Sequence, residues 1–443
     1  MPTTFVSQLE TGPIIPAITQ RAKAIGTDYI FAQGAPAQGP DQRVLDRVSD
    51  QVRSGEGLSA YPANSYVQAA KKAFLDAFNA LGDMGVTEKN IIICGYGRDG
   101  LASGMVGARN HYKGQHPTVI AACKKSIWPN VLGIADDYAF VTLGLNFSGN
   151  DGYTPAAADL EQFMPGANAG TNQTGAVVFY WNEIANNHSG LMTGLDEIKN
   201  ILRALQRVNE GRLAEDYGPL LLLLDSPYSN TMPAEHPKTM FAVAKQLLDE
   251  EGIDVRHYMM ESLSGSKVER LHAFGVSVLI VGDEEIAGTV AAHQLRAKNH
   301  PGVPALVALS SAVELVTQET LEADRIYFAD RRQLIIDELQ QLGADVLVPQ
   351  AGMFVNIKVD HLLGKQANIG TESFEIKTAR DLCEWILEED KVAVVPNTDG
   401  TIRVFAGMEN TQTLADGMKA LGAALLKAAR LPKLEAAPTA QPM

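Results

Sequence analysis

The sequence is poor in cysteine, has no long apolar run and carries fewer basic than acidic residues. Its three cysteines, Cys94, Cys123 and Cys383, are too widely spaced to form a metal motif or a disulfide framework. No apolar run is long enough to span a membrane, and the leucines at 220–224 stop at Asp225. The net charge of −15 argues against a nucleic-acid partner, because phosphate binding needs clustered Lys and Arg. The N-terminus lacks a signal-peptide pattern, so we expect a cytoplasmic protein with neither membrane nor nucleic-acid partners.

The chain is longer than one hydrophobic core usually supports: its 443 residues favour a large domain with a smaller one. Apolar runs alternate with helical patterns, and the predicted strands are residues 90–95, 118–121, 139–143, 176–181, 220–224 and 276–281. Strands that are apolar throughout are buried on both faces, so the pattern predicts an α/β layer with a mostly parallel sheet. A helical stretch from about residue 310 to 342 then leads into an α+β tail.

A lysine stands out in the Ser/Gly-rich stretch at residues 260–268, between predicted strands at 254–258 and 276–281. Two interpretations of Lys267 are open. It is either a surface lysine on a loop or an amine at the bottom of a pocket. In a pocket its ammonium is desolvated and its pKa falls, which allows a Schiff base with a carbonyl compound.

Other polar candidates follow predicted strands, where ligands of parallel α/β sheets bind. Residues 95–100 form a glycine-containing turn that opens a helix, so its amides can hold a phosphate. Asp225 and Tyr228 follow the leucine strand, Asn187 follows the strand at 176–181, and Trp128 follows that at 118–121. Each has a plain alternative: a turn cap for Asp225, a loop former for Asn187, and core packing for Trp128.

In chain order, these features are a phosphate loop, an aromatic residue, Asn, Asp-x-x-Tyr, Ser-x-Ser-Lys and a late Arg. This order resembles that of the fold-type I pyridoxal-phosphate (PLP) enzymes, in particular the class I and II aminotransferases, from about residue 34 to 403. The resemblance implies a large PLP-binding domain with a mostly parallel mixed sheet flanked by helices, and a smaller α+β domain. The predicted division is an N-terminal segment at 1–57 that contributes to the small domain, the large domain at 58–309, the small domain at 310–430 and a disordered tail at 431–443.

The resemblance assigns residues to the cofactor ring. Lys267 matches the Schiff-base lysine, and Asp225 matches the carboxylate that keeps the pyridine nitrogen protonated. Tyr228 and Asn187 match the groups that bond the ring hydroxyl, and Trp128 matches the aromatic residue that stacks on the ring.

The same resemblance assigns the phosphate. Gly97, Arg98 and Asp99 fall at the phosphate-loop positions, and Ser264 and Ser266 match serines beside the phosphate.

Further assignments concern the substrate and the subunits. Arg403 resembles the arginine that binds the substrate α-carboxylate through two hydrogen bonds, and Gly34 and Asn187 match residues beside the substrate. Arg296 lies near the place where aspartate-specific members carry a side-chain arginine, although a surface arginine of a helix is the favoured explanation. Tyr61 resembles a tyrosine that reaches the neighbouring subunit's phosphate, which implies a homodimer.

One departure concerns the phosphate. The family has an arginine eight residues after the lysine, but this chain has Gly275 there. Either Arg270 or Arg98 substitutes for it, or amides and hydroxyls hold the phosphate. We favour a substitute and expect a divergent branch of the family.

The expected activity is transfer of an amino group between an α-amino acid and a 2-oxo acid, with aspartate or glutamate as candidate substrates. Within the same fold, a lyase, decarboxylase or oxidase is the alternative, and a non-catalytic PLP-binding regulatory protein is another. A nucleotide site is less consistent with the sequence, which lacks Gly-x-x-x-x-Gly-Lys-[Ser/Thr].

Overall fold

The computed structural model shows an α/β protein. It describes residues 14–27, 29–32, 38–59, 62–113, 117–125, 128–149, 152–167, 174–182, 184–186, 189–233, 236–265, 267, 270–397, 399–408 and 410–433. The helices in these ranges are α1 Ile14–Ala24, α2 Gln42–Ser54, α3 Asn64–Leu81, α4 Gly97–His111, α5 Pro129–Asp137, α6 Ala157–Glu161, α7 Leu195–Ala214, α8 Met240–Glu251, α9 Glu284–Ala297, α10 Val303–Val313, α11 Gln318–Gln341, α12 Ala379–Asp390 and α13 Thr411–Ala429. The strands are β1 Tyr29–Ile30, β2 Ile91–Cys94, β3 Val119–Cys123, β4 Val141–Leu145, β5 Val177–Trp181, β6 Leu220–Asp225, β7 Met259–Ser264, β8 Ser277–Val281, β9 Val346–Leu347, β10 Phe354–Lys358, β11 Lys365–Ile369, β12 Glu372–Ile376, β13 Val392–Ala393, β14 Val395–Pro396 and β15 Thr401–Phe405.

The large sheet has seven strands in the order β2-β8-β7-β6-β5-β3-β4. The pairs from β7 through β6, β5 and β3 to β4 are parallel, whereas β8 is antiparallel to both of its neighbours. Alternate residues of one strand enter different cores: Leu222 and Leu224 pack on one face, and Leu221 and Leu223 on the other. Both faces are therefore covered, which confirms the predicted α/β class with a mostly parallel mixed sheet.

A second core lies around the antiparallel sheet β14-β15-β10-β9 and the helices α12 and α13. The N-terminal residues Ile18 and Ala22 of α1 pack beside Leu387, and Phe31 enters this second core. The helix α2 instead packs into the core of the large sheet through Val44 and Val48. Residues 14–27 and 29–32 thus pack with the C-terminal part of the chain, while the domain boundaries at 57 and 309 stay predictions.

Two predicted elements are interrupted by a turn or a new helix start, and the strand predicted at 139–143 lies at Val141–Leu145. The predicted strand at 254–258 contains a turn, since the Asp254 carboxylate accepts a hydrogen bond from the Arg256 N–H (3.2 Å), and the strand begins at Met259. The predicted helical stretch at 310–342 is broken, because the Thr317 hydroxyl accepts a bond from the Thr320 N–H (3.2 Å) and starts α11 anew.

Two features near the C-terminus were not expected. The hairpin β11–β12 turns at Gly370, whose φ of 59° lies in the left-handed region that glycine adopts at low cost. Beyond it, the predicted tail from residue 431 is partly held, since the Gln366 N–H donates to the Pro432 carbonyl (2.8 Å). The tail from 434 onward lies outside the described residues. No helix in the described part of the chain is long and apolar enough to cross a membrane.

Candidate active site

A cavity of about 430 Å³ lies beyond the carboxyl ends of the parallel strands, between the large sheet and the C-terminal sheet. It brings together eight residues that the sequence singled out: Gly97, Arg98, Trp128, Asp225, Tyr228, Ser264, Lys267 and Arg403. Asn182, which directly follows β5, also lines the cavity, as do five residues that the sequence reasoning missed: Ile15, Tyr96, Asn130, Pro227 and Phe354. Consecutive parallel strands end on the same side of a sheet, so residues far apart in the chain meet there.

Asp225 is the last residue of β6 and is only 8% exposed. The Tyr180 hydroxyl of the adjacent strand β5 donates a hydrogen bond to its Oδ2 atom (3.2 Å). Burial raises the pKa of Asp225 to about 7, while the Tyr180 hydrogen bond and the Lys267 ammonium act to lower it. The site therefore contains a carboxylate that a cationic group of a ligand would stabilise.

Lys267 lies in the turn after β7, where its backbone N–H donates to the Ser264 carbonyl (3.2 Å). Its side chain lines the cavity, and its charge acts on Asp225. Of the two interpretations of Lys267, a surface lysine or a pocket lysine, the structure shows the pocket lysine. The strand that positions it is β7 itself, which covers the first half of the stretch predicted to be a loop.

The start of α4 forms another wall. A side chain at Gly97 would lie 3.3 Å from the Cβ atom of Ser264, so glycine allows the helix to approach the end of β7 closely. The first amides of a helix have no partner within the helix and favour anions, and Arg98 follows directly. Asp99 does not line the cavity, and its carboxylate lies 3.5 Å from the Lys298 ammonium.

Arg403 enters from the C-terminal sheet, in the middle of β15 opposite Asn356 and Val395. It is only 9% exposed, and its guanidinium lies 4.1 Å from the centre of the Phe354 ring. Burial lowers the pKa of Arg403, and the neighbouring Tyr228 acts to raise it. Phe354 also makes an edge contact with the Tyr228 ring (5.7 Å between centroids). The Phe354 ring therefore stabilises the guanidinium at the cavity wall, and Tyr228 packs against that ring.

Gly275, eight residues after the lysine, has a left-handed φ of 61°. A Cβ atom there would lie 2.8 Å from the Tyr96 ring, so the ring occupies the space that a side chain would need. Of the two proposed substitutes, Arg98 lines the cavity, whereas Arg270 forms an ion pair with Asp324 and lines a different cleft. The placement of Arg270 does not fit a role at this cavity.

The remaining predicted residues are elsewhere. Arg296 is exposed on the last turn of α9 and does not line the cavity. Gly34, Tyr61, Asn187 and Ser266 lie outside the described residues.

The sequence was then compared with protein families. The profile of the aminotransferase class I and II family matches residues 185–415, more than half of the chain. The chain belongs to the class I and II aminotransferase family. It is therefore a PLP-dependent enzyme of that family, as the order of its motifs indicated, and the family and fold imply use of PLP.

Solved structures share the fold over nearly the whole chain. Aspartate aminotransferase from Rhizobium meliloti is 20% identical with a TM-score of 0.74, over 98% of this chain and 100% of that chain. Aspartate aminotransferase from Thermotoga maritima is 15% identical with a TM-score of 0.73, over 96% and 100%. An aminotransferase from Mycobacterium tuberculosis is 16% identical with a TM-score of 0.73, over 96% and 97%. At these identities the likeness shows the fold alone. A comparison with curated protein sequences finds no significant match.

Proposed function

We propose that this enzyme transfers an amino group between an α-amino acid and a 2-oxo acid with PLP bound in the cavity. The observation that carries the proposal is that Lys267, Asp225 and Arg403 line one cavity, although they come from three different parts of the chain. An amine, a buried acid and a buried arginine are the groups that this chemistry requires.

The residues present fit the cofactor. The cavity volume of about 430 Å³ is in the range of small-molecule sites. Asp225, whose pKa burial raises, would gain most from a protonated ring nitrogen. Trp128 offers an aromatic face to the ring, and the start of α4 with Arg98 offers amides and a cation to the phosphate.

When bound, the cofactor ring accepts electrons from the substrate Cα atom, which allows a bond at that atom to break. In this proposal the Lys267 amine would take the proton from the substrate Cα atom as a base and, as an acid, would deliver it to the cofactor carbon. Tyr228 donates a hydrogen bond to the ring hydroxyl. Arg403 binds the α-carboxylate through two parallel hydrogen bonds, which orients the bond to be broken.

For the phosphate, we propose Arg98 as the cation that takes over from the family's arginine. The ring of Tyr96 occupies the space beside Gly275, and Arg270 is engaged by Asp324. Ser264, against the first turn of α4, is the described serine that would bond the phosphate. Ser266 and Asn187 keep the roles that the sequence predicts for them.

Aspartate and glutamate are the proposed substrate class, in keeping with the names of the two aspartate aminotransferases of similar fold. Arg296 is exposed and lies away from the cavity lining of its own chain. It would therefore bind a second carboxylate only across a subunit contact, and Tyr61 would bind the phosphate of the neighbouring subunit. We accordingly propose a homodimer, which light scattering coupled to size exclusion tests. Its cytoplasmic location stays a prediction from the sequence.

The test is a panel of amino acids added to PLP-loaded protein, with and without a 2-oxo acid. A transaminase converts one equivalent of amino acid and stops until the oxo acid is added. Continued turnover without an oxo acid would instead establish a lyase, decarboxylase or oxidase. Covalent PLP binding without turnover of any amino acid would establish a regulatory protein.

A further inference from the structure

We propose that Tyr180 is a positioning residue of this site, whose hydroxyl keeps the Asp225 carboxylate ionised and directed at the cavity. The inference deepens the proposed function and rests on it where the cofactor is concerned. Nothing in the sequence pattern pointed to Tyr180, which looks like one more apolar residue of β5.

The register of the sheet brings the two side chains together. Tyr180 of β5 is paired with Leu223 of β6, and Asp225 lies two residues farther along β6. Side chains two residues apart point to the same face of a strand, so Tyr180 and Asp225 are diagonal neighbours on one face. A tyrosine is long enough to cover that diagonal, and its hydroxyl lies 3.2 Å from Oδ2.

Both partners are withdrawn from water, since Tyr180 is 1% exposed and Asp225 is 8% exposed. The Tyr180 ring belongs to the apolar core that also contains Leu221 and Leu223. A phenylalanine would fill that core equally well, so packing alone does not require the hydroxyl. The hydrogen bond is what distinguishes tyrosine at this position.

Two groups of the described chain act electrically on Asp225: Tyr180 from β5 and Lys267 from the turn after β7. The buried carboxyl of Glu261 on β7 is paired in register with Leu224 and so points to the other face. It accepts a hydrogen bond from the Met240 N–H at the start of α8 (2.9 Å). Among the described residues, the Tyr180 hydroxyl is thus the hydrogen-bond donor that offsets the burial of Asp225.

The consequence for the cofactor is direct. Only an ionised carboxylate stabilises a protonated ring nitrogen, and burial favours the neutral acid. Loss of the Tyr180 hydroxyl would raise the pKa of Asp225 further, so that more of it is neutral at physiological pH. Tyr180 would then support the electron-accepting ring through Asp225 without touching the cofactor.

The experiment compares Tyr180→Phe with Tyr112→Phe, which removes a hydroxyl from a tyrosine packed against the same apolar core. Titration of cofactor-free protein with PLP should give a dissociation constant raised roughly tenfold or more for Tyr180→Phe, because a hydrogen bond to a charged group is lost. The absorbance of the bound cofactor should change its pH dependence in Tyr180→Phe, whereas Tyr112→Phe should match the wild type.

A double-mutant cycle separates positioning from packing. In an Asp225→Asn background, Tyr180→Phe should weaken PLP binding by less than about twofold, because the group through which it acts is gone. An equal loss in both backgrounds, or unchanged binding in the single variant, would overturn the inference.

An infrared pH titration of cofactor-free protein tests the link without PLP. The carboxyl band that disappears in Asp225→Asn should titrate about one pH unit or more higher in Tyr180→Phe than in the wild type. An unshifted band would overturn the inference. If the wild type failed to bind PLP while this band shifted, the proposed function would fail and the Tyr180–Asp225 link would stand.

Discussion

The two sheets each contribute one buried charge of opposite sign to the cavity. The seven-stranded sheet presents Asp225 at the end of β6, and the four-stranded sheet presents Arg403 in the middle of β15. Burial shifts both pKa values toward the neutral form, upward for Asp225 and downward for Arg403. Within the described residues neither side chain forms an ion pair; their close contacts are the Tyr180 hydroxyl and the Phe354 ring.

Asp225 and Arg403 differ in how readily each side chain loses its charge. A carboxyl with a pKa of about 7 can become neutral near physiological pH, whereas a guanidinium remains charged at any working pH. The charge of Asp225 therefore depends on its neighbours, whereas the charge of Arg403 is constant. The large sheet would tune the chemistry, and the small sheet would fix the substrate.

The largest effect is expected from removing Lys267, the amine that lines the same cavity as both charges. Lys267→Ala should lose covalent PLP, and its kcat/KM should fall by roughly 10⁴-fold or more, because both the bonding amine and the proton carrier are gone. Absorbance spectra and borohydride trapping measure the attachment. Lys72→Ala, at an exposed lysine paired with Asp76, is the control. An unchanged spectrum would refute the assignment of Lys267.

Asp225→Asn tests the adjustable charge. We expect kcat to fall on the order of 10²- to 10³-fold, as when one preorganised electrostatic group is removed from an active site. Steady-state rates at saturating substrate and PLP measure this. A loss of less than about fivefold would mean that Asp225 does not hold the ring nitrogen, and the proposed role would fail.

The same substitution should stabilise the cofactor-free protein. Folding raises the pKa of Asp225, so the contribution of this carboxyl group to stability is fully present below about pH 4 and is lost as the pH rises to about 7. Asp225→Asn avoids this loss and should unfold with a free energy higher by on the order of 2–4 kcal/mol at pH 8. Urea unfolding at pH 4 and pH 8 measures the difference. Equal effects at both pH values would contradict it.

Arg403→Lys tests the constant charge. The positive charge stays, but two parallel hydrogen bonds become one point contact, so kcat/KM should fall roughly 10- to 100-fold, mainly through KM. The matched control is Arg212→Lys, at a buried arginine whose guanidinium donates to the carbonyls of Gly218, Phe163 and Gly175. Arg212→Lys should lower the melting temperature and leave kcat/KM unchanged. The reverse pattern would move the carboxylate site away from Arg403.

The smallest effect concerns a third charge, that of Arg98, which we propose to bind the cofactor phosphate. Arg98→Gln should weaken PLP binding about tenfold through loss of a charge-assisted hydrogen bond. Arg270→Gln, which removes the ion pair with Asp324 instead, should leave PLP binding within about twofold. Titration of cofactor-free protein measures both. An effect of Arg270 that exceeds that of Arg98 would reverse the assignment.

The sequence was most informative where a polar residue directly follows an apolar strand. Asp225 and Gly97 were predicted at strand ends and lie at the cavity, because parallel strands place their carboxyl ends on one side. Lys267 was singled out by its serines and glycine, although the strand before it was placed too early. The turn formed by Asp254 caused that error, since a local side-chain hydrogen bond overrides the apolar pattern around it.

Residues whose contacts depend on another strand or helix escaped prediction. The sequence pattern predicts core positions for Tyr180 and Phe354. Apolar spacing indicates which face of a strand a side chain lies on, but not which residue the end of that side chain contacts. The choice between Arg98 and Arg270 was open for the same reason. The two arginines are equally basic in the sequence, and the structure separates them, since Arg98 lines the cavity whereas Arg270 pairs with Asp324 beside a different cleft.

By itself the sequence determined the α/β class, the family through the order of its motifs, and the amine and acid expected at the reacting centre. These follow from local properties, namely runs of apolar residues and the polar residues that end them. The tertiary structure decided that Arg403 meets Asp225 and Lys267 in one cavity, and that Tyr180 reaches across to Asp225. The register between strands decides these contacts, and register depends on packing between segments far apart in the chain.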